Sequence, residues 1–248
     1  MKVSIITACY NSSATIIDTL KSLEQQTYTD IEYIIVDGAS KDNTLDVIKA
    51  NCSRVSFIIS ERDNGIYDAL NKGIAAATGD VVGFLHSDDL FASPYIVQNI
   101  VDCFNQNNVD AVYGDLEYVD KTDTNKIVRL WRSGLYERKK LANGWMPPHP
   151  TFYMKRELYV KFGFFDLSFR IAADYDSVLR YLWVNEVTLA YIPSVLIKMR
   201  VGGASNRSLR NIYQKSKEDI LALKKNRVFW PKALLFKNLC KIPQFFMR

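Results

Sequence analysis

Cysteine and histidine are scarce in this chain of 248 residues, which contains four cysteines and two histidines. The cysteines lie far apart and form no Cys-x-x-Cys pair, so we expect neither a zinc site nor a disulfide framework. Glycine and proline are also few, at 11 and 7 residues, which excludes collagen-like and low-complexity chains. The composition, 48% hydrophobic and 24% charged, is that of a globular protein with one large or two small domains.

Signals for secretion and for membrane insertion are also missing from the sequence pattern. Residues 1–5 lead directly into a strand pattern, without the basic region, apolar stretch and cleavage site of a signal peptide. No run of about 18 uninterrupted apolar residues occurs. We therefore expect a protein of the reducing cytoplasm that has no membrane-spanning helix.

The net charge of +5 is unevenly distributed along the chain. From Lys198 onward there are 13 basic residues and two acidic ones, so this end carries +11 and the preceding part carries −6. A basic end on an acidic body predicts an anionic partner, either a membrane surface or a nucleic acid. We do not expect a nucleic acid, because no recognisable binding motif accompanies the basic residues.

The pattern of residues 228–248 favours the membrane surface. Pro231 suits the first turn of a helix, after which apolar and polar side chains fall on opposite sides. The apolar side contains Leu235, Phe236, Leu239 and Ile242, and the polar side contains Lys237, Asn238 and Lys241. This pattern is typical of an amphipathic helix in a membrane interface. The alternative is a C-terminal helix that packs on its own domain and leaves its lysines in solvent.

Short apolar runs alternate with amphipathic segments in the first half of the chain. Strands are predicted at residues 3–7, 31–36, 55–59 and 81–85, with helical spacing between them. This alternation predicts an α/β fold, in which helices cover both faces of a mostly parallel sheet. Later strands are predicted at 111–113, 151–154, 189–192 and 195–199, and helices near 156–162, 174–184 and 210–225.

Carboxylates gather where predicted strands end. Asp37 follows the second strand, and Asp88 and Asp89 follow the fourth. Ligands of parallel sheets bind beyond the carboxyl ends of the strands. Adjacent carboxylates repel each other there unless a cation is present, and a divalent ion would in turn hold a diphosphate. Each acid alone could cap a helix or form a turn, but their joint position favours a metal site.

Three further polar side chains are candidates. Lys72 could contact a phosphate or a ribose, or could simply be solvated. Asp174 opens a predicted helix, where it could be an N-cap or a general base, and Asp176 lies close behind it. His149, in a loop with three prolines, could serve structure or function.

Five motifs, in this order, resemble those of the family 2 glycosyltransferases, which have the nucleotide-sugar-binding GT-A fold. The motifs occupy residues 3–11, 34–42, 69–74, 83–89 and 173–174, so the resemblance covers roughly residues 1–200. It implies a GT-A domain over 1–200, with a nucleotide-binding half (1–110) and an acceptor half (111–200). Residues 201–248 would form a basic helical extension.

The resemblance implies roles for individual residues at the strand ends. Asp88 matches the metal-binding last acid of the family's Asp-x-Asp motif and would hold Mg²⁺ or Mn²⁺ against the sugar diphosphate. Asp174 matches the catalytic base, although Ala173 stands where members often carry Glu. The residues implied to contact the nucleotide are Thr7, Tyr10, Asp37, Lys72, Ser87 and His86, which replaces the first acid of Asp-x-Asp. His149 is expected near the acceptor or the diphosphate.

The implied reaction is inverting transfer of a sugar from a UDP-sugar, or from a GDP-sugar, to an acceptor. The short chain and its basic tail look like bacterial enzymes of exopolysaccharide, O-antigen or capsule synthesis. Their acceptors are polyprenyl-diphosphate-linked sugars or oligosaccharides at the inner face of the cytoplasmic membrane. Two alternatives remain: a sugar nucleotidyltransferase, and a non-catalytic sugar- or membrane-binding scaffold on the same fold. An NAD-binding protein is not expected, because Gly-x-Gly-x-x-Gly is missing after the first strand.

Overall fold

The computed structural model describes residues 1–202 and 209–239. Within this part of the chain, nine strands form one sheet. The first half contributes β1 (Val3–Cys9), α1 (Ile16–Glu24), β2 (Ile31–Asp37), α2 (Thr44–Asn51), β3 (Val55–Ser60), α3 (Ile66–Ala76) and β4 (Val81–Phe84). The next elements are β5 (Leu90–Phe91), α4 (Ile96–Asn107), β6 (Ala111–Val119), β7 (Ile127–Trp131), α5 (Arg138–Leu141) and a 3-10 turn (His149–Thr151). They are followed by β8 (Tyr153–Lys155), α6 (Arg156–Phe162), α7 (Ala173–Val178), a π-helical turn (Leu179–Val184), β9 (Leu189–Arg200), α8 (Leu209–Lys225) and α9 (Trp230–Leu239).

The strands of the first half form the parallel part of the sheet. β1 pairs in parallel with β2 on one side and with β4 on the other, and β2 pairs in parallel with β3. β1 is buried along its whole length, as a strand covered on both faces must be, which is why its sequence is a continuous apolar run. The predicted α/β architecture is confirmed.

The second half of the sheet is mixed. β8 is antiparallel to both β4 and β6, β6 is parallel to β9, and β5 and β7 add antiparallel edges. The strands predicted at 189–192 and 195–199 form one strand, β9. The sequence prediction lacked β5, β7 and α4, although α4 buries five apolar residues at helical spacing: Ile96, Val97, Ile100, Val101 and Phe104.

Two hydrophobic clusters lie on the two faces of the sheet. Successive side chains of a strand point to opposite faces, so Ile5 joins the cluster that contains α1 and α4, whereas Ile6 joins the cluster that contains α3 and α7. The C-terminal helices add Ala222, Leu223 and Ala233 to the second of these clusters. Helices α8 and α9 therefore pack beside α7.

In helix α9 one residue of the predicted polar side, Lys237, packs inward. Lys237 is only 7% exposed, whereas Leu235 and Phe236 are 58% and 40% exposed. The alternative with solvated lysines is therefore wrong for Lys237, which instead forms a 2.9 Å ion pair with Asp219. Ile242, Lys241 and the side chains of Leu239 and Asn238 lie outside the described residues.

None of the helices in residues 1–202 and 209–239 is long and apolar enough to cross a bilayer.

Candidate active site

Asp37 is held at the end of β2 by hydrogen bonds from the protein. It is fully buried, and it accepts a hydrogen bond from the Ser60 hydroxyl at 2.7 Å and from the Ser40 backbone N–H at 3.1 Å. The parallel register places it beside Cys9 of β1. Burial, followed by the charge of Asp37, raises the pKa of the Cys9 thiol to about 12. The Cys9 thiol therefore stays protonated at neutral pH.

Thr7 lies behind Asp37 rather than at the surface of the site. Its hydroxyl donates to the carbonyl oxygen of Leu85 at 2.6 Å and lies 2.9 Å from the hydroxyl of Tyr33. The side chain is fully buried, so it ties β1 to the chain that leaves β4. Tyr10, by contrast, is 59% exposed at the end of β1.

Asp63 is a candidate that the sequence prediction missed. A Cβ atom on Gly38 would clash with Oδ2 of Asp63 and would lie 3.4 Å from Cδ2 of Tyr10. The absence of a side chain at Gly38 thus lets Asp63 and Tyr10 approach each other beside Asp37. Asp63 follows β3, the third parallel strand, so the strand-end rule that selected Asp37 could have found it.

Lys72 reaches from α3 to the chain that follows β3. Its Nζ atom lies 2.7 Å from the Glu61 carboxylate and donates to the carbonyl oxygen of Arg62 at 2.8 Å. The ion pair is partly exposed, so its contribution to stability is small. Lys72 is therefore a positive charge close to Asp63 that can exchange its partner for a phosphate or a ribose.

The loop after β4 is held through its backbone. Thr15 donates to the carbonyl oxygen of Ser87 at 3.0 Å, and Arg200 donates to that of Asp88 at 2.7 Å. The hydroxyl of Ser87 lies 3.0 Å from that of Ser12. These contacts orient the loop and leave the Asp88 side chain available for a ligand.

Asp88 and Asp89 differ in the burial of their side chains. Asp89 is buried and neither of its oxygens has a hydrogen-bond partner in the described structure. Burial, with a further contribution from the charge of Asp88, raises the pKa of Asp89 well above its usual value. Burial therefore favours the neutral form of Asp89.

A divalent ion fits at Asp88 if a substrate supplies further oxygens. The residues that the structure describes contain no cluster of three His, Cys, Asp or Glu side chains that could cage a metal. Mg²⁺ characteristically binds one or two carboxylates together with substrate phosphates. One partly exposed carboxylate, free of hydrogen bonds from the described residues, suits that mode of binding.

Two histidines lie near Asp174, and one of them, His86, also lies near Asp88. The ring centroids of His86 and His149 are 6.2 Å apart, and the buried Nδ1 atom of His86 has no hydrogen-bond partner among the described residues. His149 stacks on Phe84, with centroids 5.1 Å apart. Burial lowers the pKa of His149 to about 4, against the opposing charge of Asp174. Both rings are therefore neutral near pH 7.

Asp174 stands in the first turn of α7 with one carboxylate oxygen occupied. Oδ1 accepts the backbone N–H of Tyr175 at 2.8 Å and lies 3.2 Å from the hydroxyl of Tyr67. Oδ2 receives no hydrogen bond from residues 1–202 or 209–239. Asp174 acts electrostatically on both His86 and His149, and Asp88 acts on His86, so both carboxylates lie near His86. Tyr67 is a second contact that the sequence prediction missed.

Asp176 is buried and fully engaged within the protein. It accepts a hydrogen bond from Asn226 at 2.9 Å, and it lies 3.3 Å from Lys225 and 3.7 Å from Arg180. A group with these partners is a structural anchor of α7. Of the two acids, Asp174 is the one with a carboxylate oxygen that accepts no hydrogen bond from the described residues.

The comparison with protein families identifies the family of the chain. The model of glycosyl transferase family 2 matches residues 4–172. The chain belongs to this family. The matched residues include the strand ends that carry Asp37 and Asp88, so this family 2 glycosyltransferase was identified correctly from its motifs.

Curated relatives of this family 2 glycosyltransferase are also glycosyltransferases. An uncharacterized glycosyltransferase of Mycobacterium tuberculosis is 34% identical over 190 residues, which cover 74% of this chain and 70% of the relative. A PGL/p-HBAD biosynthesis glycosyltransferase of Mycobacterium bovis is 30% identical over 208 residues, which cover 82% of this chain and 78% of the relative.

Solved structures show that the fold is GT-A. S. aureus TarS 1-349 in complex with UDP-GlcNAc superposes with a TM-score of 0.67 at 16% identity, covering 90% of this chain and 66% of that one. The mannosyltransferase PcManGT of Pyrobaculum calidifontis, in complex with GDP-Man and Mn²⁺, gives 0.67 at 18% identity, covering 99% and 73%.

The buried His149 makes the family 2 glycosyltransferase less stable in mild acid. The unfolded chain takes up a proton at this residue near pH 6.5, whereas the folded protein does so only near pH 4. The unfolded state binds more protons between these values, so stability falls as the pH falls from about 6.5 to about 4, by roughly 3 kcal/mol at most. Urea unfolding across this range should show a shallower loss for His149→Phe than for the unchanged protein. Parallel pH profiles of the two proteins would contradict the assignment.

Proposed function

We propose that this chain transfers one sugar, with inversion, from a nucleotide-diphosphate sugar to a hydroxyl group of an acceptor. The acceptor is a lipid-linked sugar or an oligosaccharide in the synthesis of a surface glycan. The observation that carries this proposal is the placement of Asp174, whose Oδ2 accepts no hydrogen bond from the described residues and which, like Asp88, lies close enough to His86 to act on it electrostatically. The related glycosyltransferase of PGL/p-HBAD biosynthesis supports a role in biosynthesis.

Asp174 acts as the general base in this proposal. The acceptor hydroxyl gives its proton to Oδ2 while its oxygen attacks the anomeric carbon, and the bond from that carbon to the diphosphate oxygen breaks. Attack from the side opposite the leaving group inverts the configuration at the anomeric carbon. The hydrogen bond from the Tyr175 backbone N–H holds the carboxylate through Oδ1 and leaves Oδ2 to take the proton.

Asp88 would hold a divalent ion in this proposal. When bound, Mg²⁺ or Mn²⁺ would supply positive charge that stabilises the departing diphosphate. The solved structure of PcManGT in complex with GDP-Man and Mn²⁺ supports this assignment by similarity of fold. Arg200 keeps the Asp88 backbone in place, and the neutral His149 would lie beside the diphosphate or the acceptor without adding charge.

The nucleoside binds beyond the ends of β1, β2 and β3 in this proposal. Asp37 accepts hydrogen bonds from the base, Tyr10 supplies an exposed ring, and Lys72 supports the ribose or a phosphate. Asp63 joins this group because it lies between Gly38 and Tyr10. A UDP-sugar is the favoured donor and a GDP-sugar the alternative. Residues 1–110 thus form the nucleotide half, and residues 111–200 form the acceptor half.

Replacement of Asp174 tests the base directly. Asp174→Asn keeps the shape of the side chain and removes its ability to take a proton, so kcat should fall by about 10²- to 10⁴-fold. Nucleotide affinity, measured by calorimetry, should stay within twofold, because Asp174 does not contact the nucleotide.

An exposed acid provides the matched control for this experiment. Asp46, in the first turn of α2, is exposed, and Asp46→Asn makes the same change of charge. It should leave kcat unchanged. Full activity in Asp174→Asn would show that another group is the base.

We also propose that α9 brings the enzyme to the inner face of the cytoplasmic membrane. Its outer surface, which we define as Phe229, Leu235 and Phe236, is exposed and apolar. The chain around it is basic, so an anionic lipid surface matches both its charge and its apolar side chains. A lipid-linked acceptor would be presented at that surface.

Two substitutions on the outer surface of α9 test the membrane contact. Deleting residues 228–248 would also remove Val228, Ala233 and Lys237 from the protein interior, so exposed side chains are the better target. Leu235→Gln with Phe236→Gln should weaken binding to phosphatidylglycerol vesicles by at least about tenfold. A control pair, Leu135→Gln with Val160→Gln, removes exposed apolar side chains elsewhere and should bind normally. Equal binding by both double variants would exclude α9 as the contact.

A further inference from the structure

The segment that leads into Asp174 is held by a carboxylate from a distant helix. Glu218 of α8 accepts backbone N–H groups from Arg170 at 3.1 Å, from Ile171 at 2.8 Å and from Ala172 at 2.9 Å. Its other hydrogen bond within the described part of the chain comes from the Gln214 side-chain amide, which donates to Oε1 at 2.7 Å. Glu218 is only 4% exposed. One buried side chain therefore fixes three consecutive peptide groups.

Helix α7 begins directly after the three N–H groups that Glu218 binds. Its N-cap residue is Ala172, which makes no side-chain hydrogen bond to the helix. The N–H groups at a helix start have no partner within the helix, and a negative charge near them is favourable. Burial opposes ionisation of Glu218, but its hydrogen bonds from Gln214 and the backbone lower its pKa on balance. Glu218 is thus a charged group from another helix that binds the N-cap N–H of α7 and the two N–H groups before it.

The residues after Asp174 are also held by the C-terminal helices. The ammonium group of Lys237, on α9, lies 3.2 Å from the centroid of the Tyr175 ring. Asn226 and Lys225, at the end of α8, bind Asp176. Asp174 therefore stands between two stretches of chain that are both anchored to residues 218–237.

We propose that Glu218 is a positioning residue for Asp174, and that α8 and α9 form a clamp that keeps the base aligned with the acceptor. This proposal rests on the proposed function, since it takes Asp174 as the base. It gives the basic C-terminal segment a part in turnover that is separate from membrane attachment. Loss of the clamp lets the chain at 170–174 shift, and a misplacement of about 1 Å at a reacting group costs on the order of 100-fold in rate.

The variant Glu218→Gln tests the clamp with little change of volume. It removes the charge and turns one accepting oxygen into a donor that opposes the backbone N–H groups. We expect kcat to fall roughly 10- to 100-fold, while the KM for the donor and the nucleotide affinity stay within twofold. Hydrogen exchange should be faster at the amides of Ile171 and Ala172. The control Glu157→Gln changes an exposed acid in the first turn of α6 and should alter none of these quantities.

The outcomes separate the clamp from the assignment of the base. A folded Glu218→Gln protein with unchanged kcat overturns the clamp, even where Asp174→Asn is inactive. A fully active Asp174→Asn protein overturns the base, whereas faster exchange at Ile171 and Ala172 would still show that Glu218 orders the segment. If Glu218→Gln does not fold, Gln214→Leu removes the side chain that orients Glu218 and should cause a smaller change in the same direction. Unchanged kcat and exchange in that variant would overturn the proposal.

Discussion

In-register parallel pairing of β1 with β2 and β4 is the constraint on which the site depends. Because parallel strands end at the same edge of a sheet, the residues that follow them are brought together without any further contact. Cys9 pairs with Asp37, and the hydroxyl of Thr7 binds the carbonyl oxygen of Leu85, three residues before Asp88. Continuous burial of these strands fixes the register, since a shift by one residue would turn polar strand-end groups into the core.

The chain around Asp174, the proposed base, depends on the C-terminal helices. Helix α7 is short and has no side-chain hydrogen bond at its N-cap. Glu218 and Asn226 provide buried polar partners for the chain on both sides of Asp174. The same helices expose Leu235 and Phe236. One segment of the chain thus has an inner side that binds the chain around Asp174 and an outer side with exposed apolar residues.

The sequence predicts the parallel half of this fold and the residues at its strand ends, because both follow from local patterns. The same rule could have predicted Asp63. It could not have predicted Glu218, because Glu218 contacts residues 46 to 48 positions away and the sequence around it is typical of a solvent-exposed helix. The burial of Lys237 was equally hidden, because it depends on the tertiary pairing with Asp219 and Tyr175. The role of Asp176 likewise became clear only from its partners in space.

The central claim is that the ends of β1, β2 and β4 form a metal-assisted nucleotide-sugar site. Nucleotide binding tests this claim most directly. The measurement is calorimetric titration of the protein with UDP, GDP and CDP, each with and without Mn²⁺. We expect one of these nucleotides to bind with an affinity that depends on Mn²⁺. In Asp88→Asn we expect the nucleotide affinity to be independent of Mn²⁺. Failure of the folded protein to bind any of the three would contradict the account and favour a non-catalytic scaffold on the same fold.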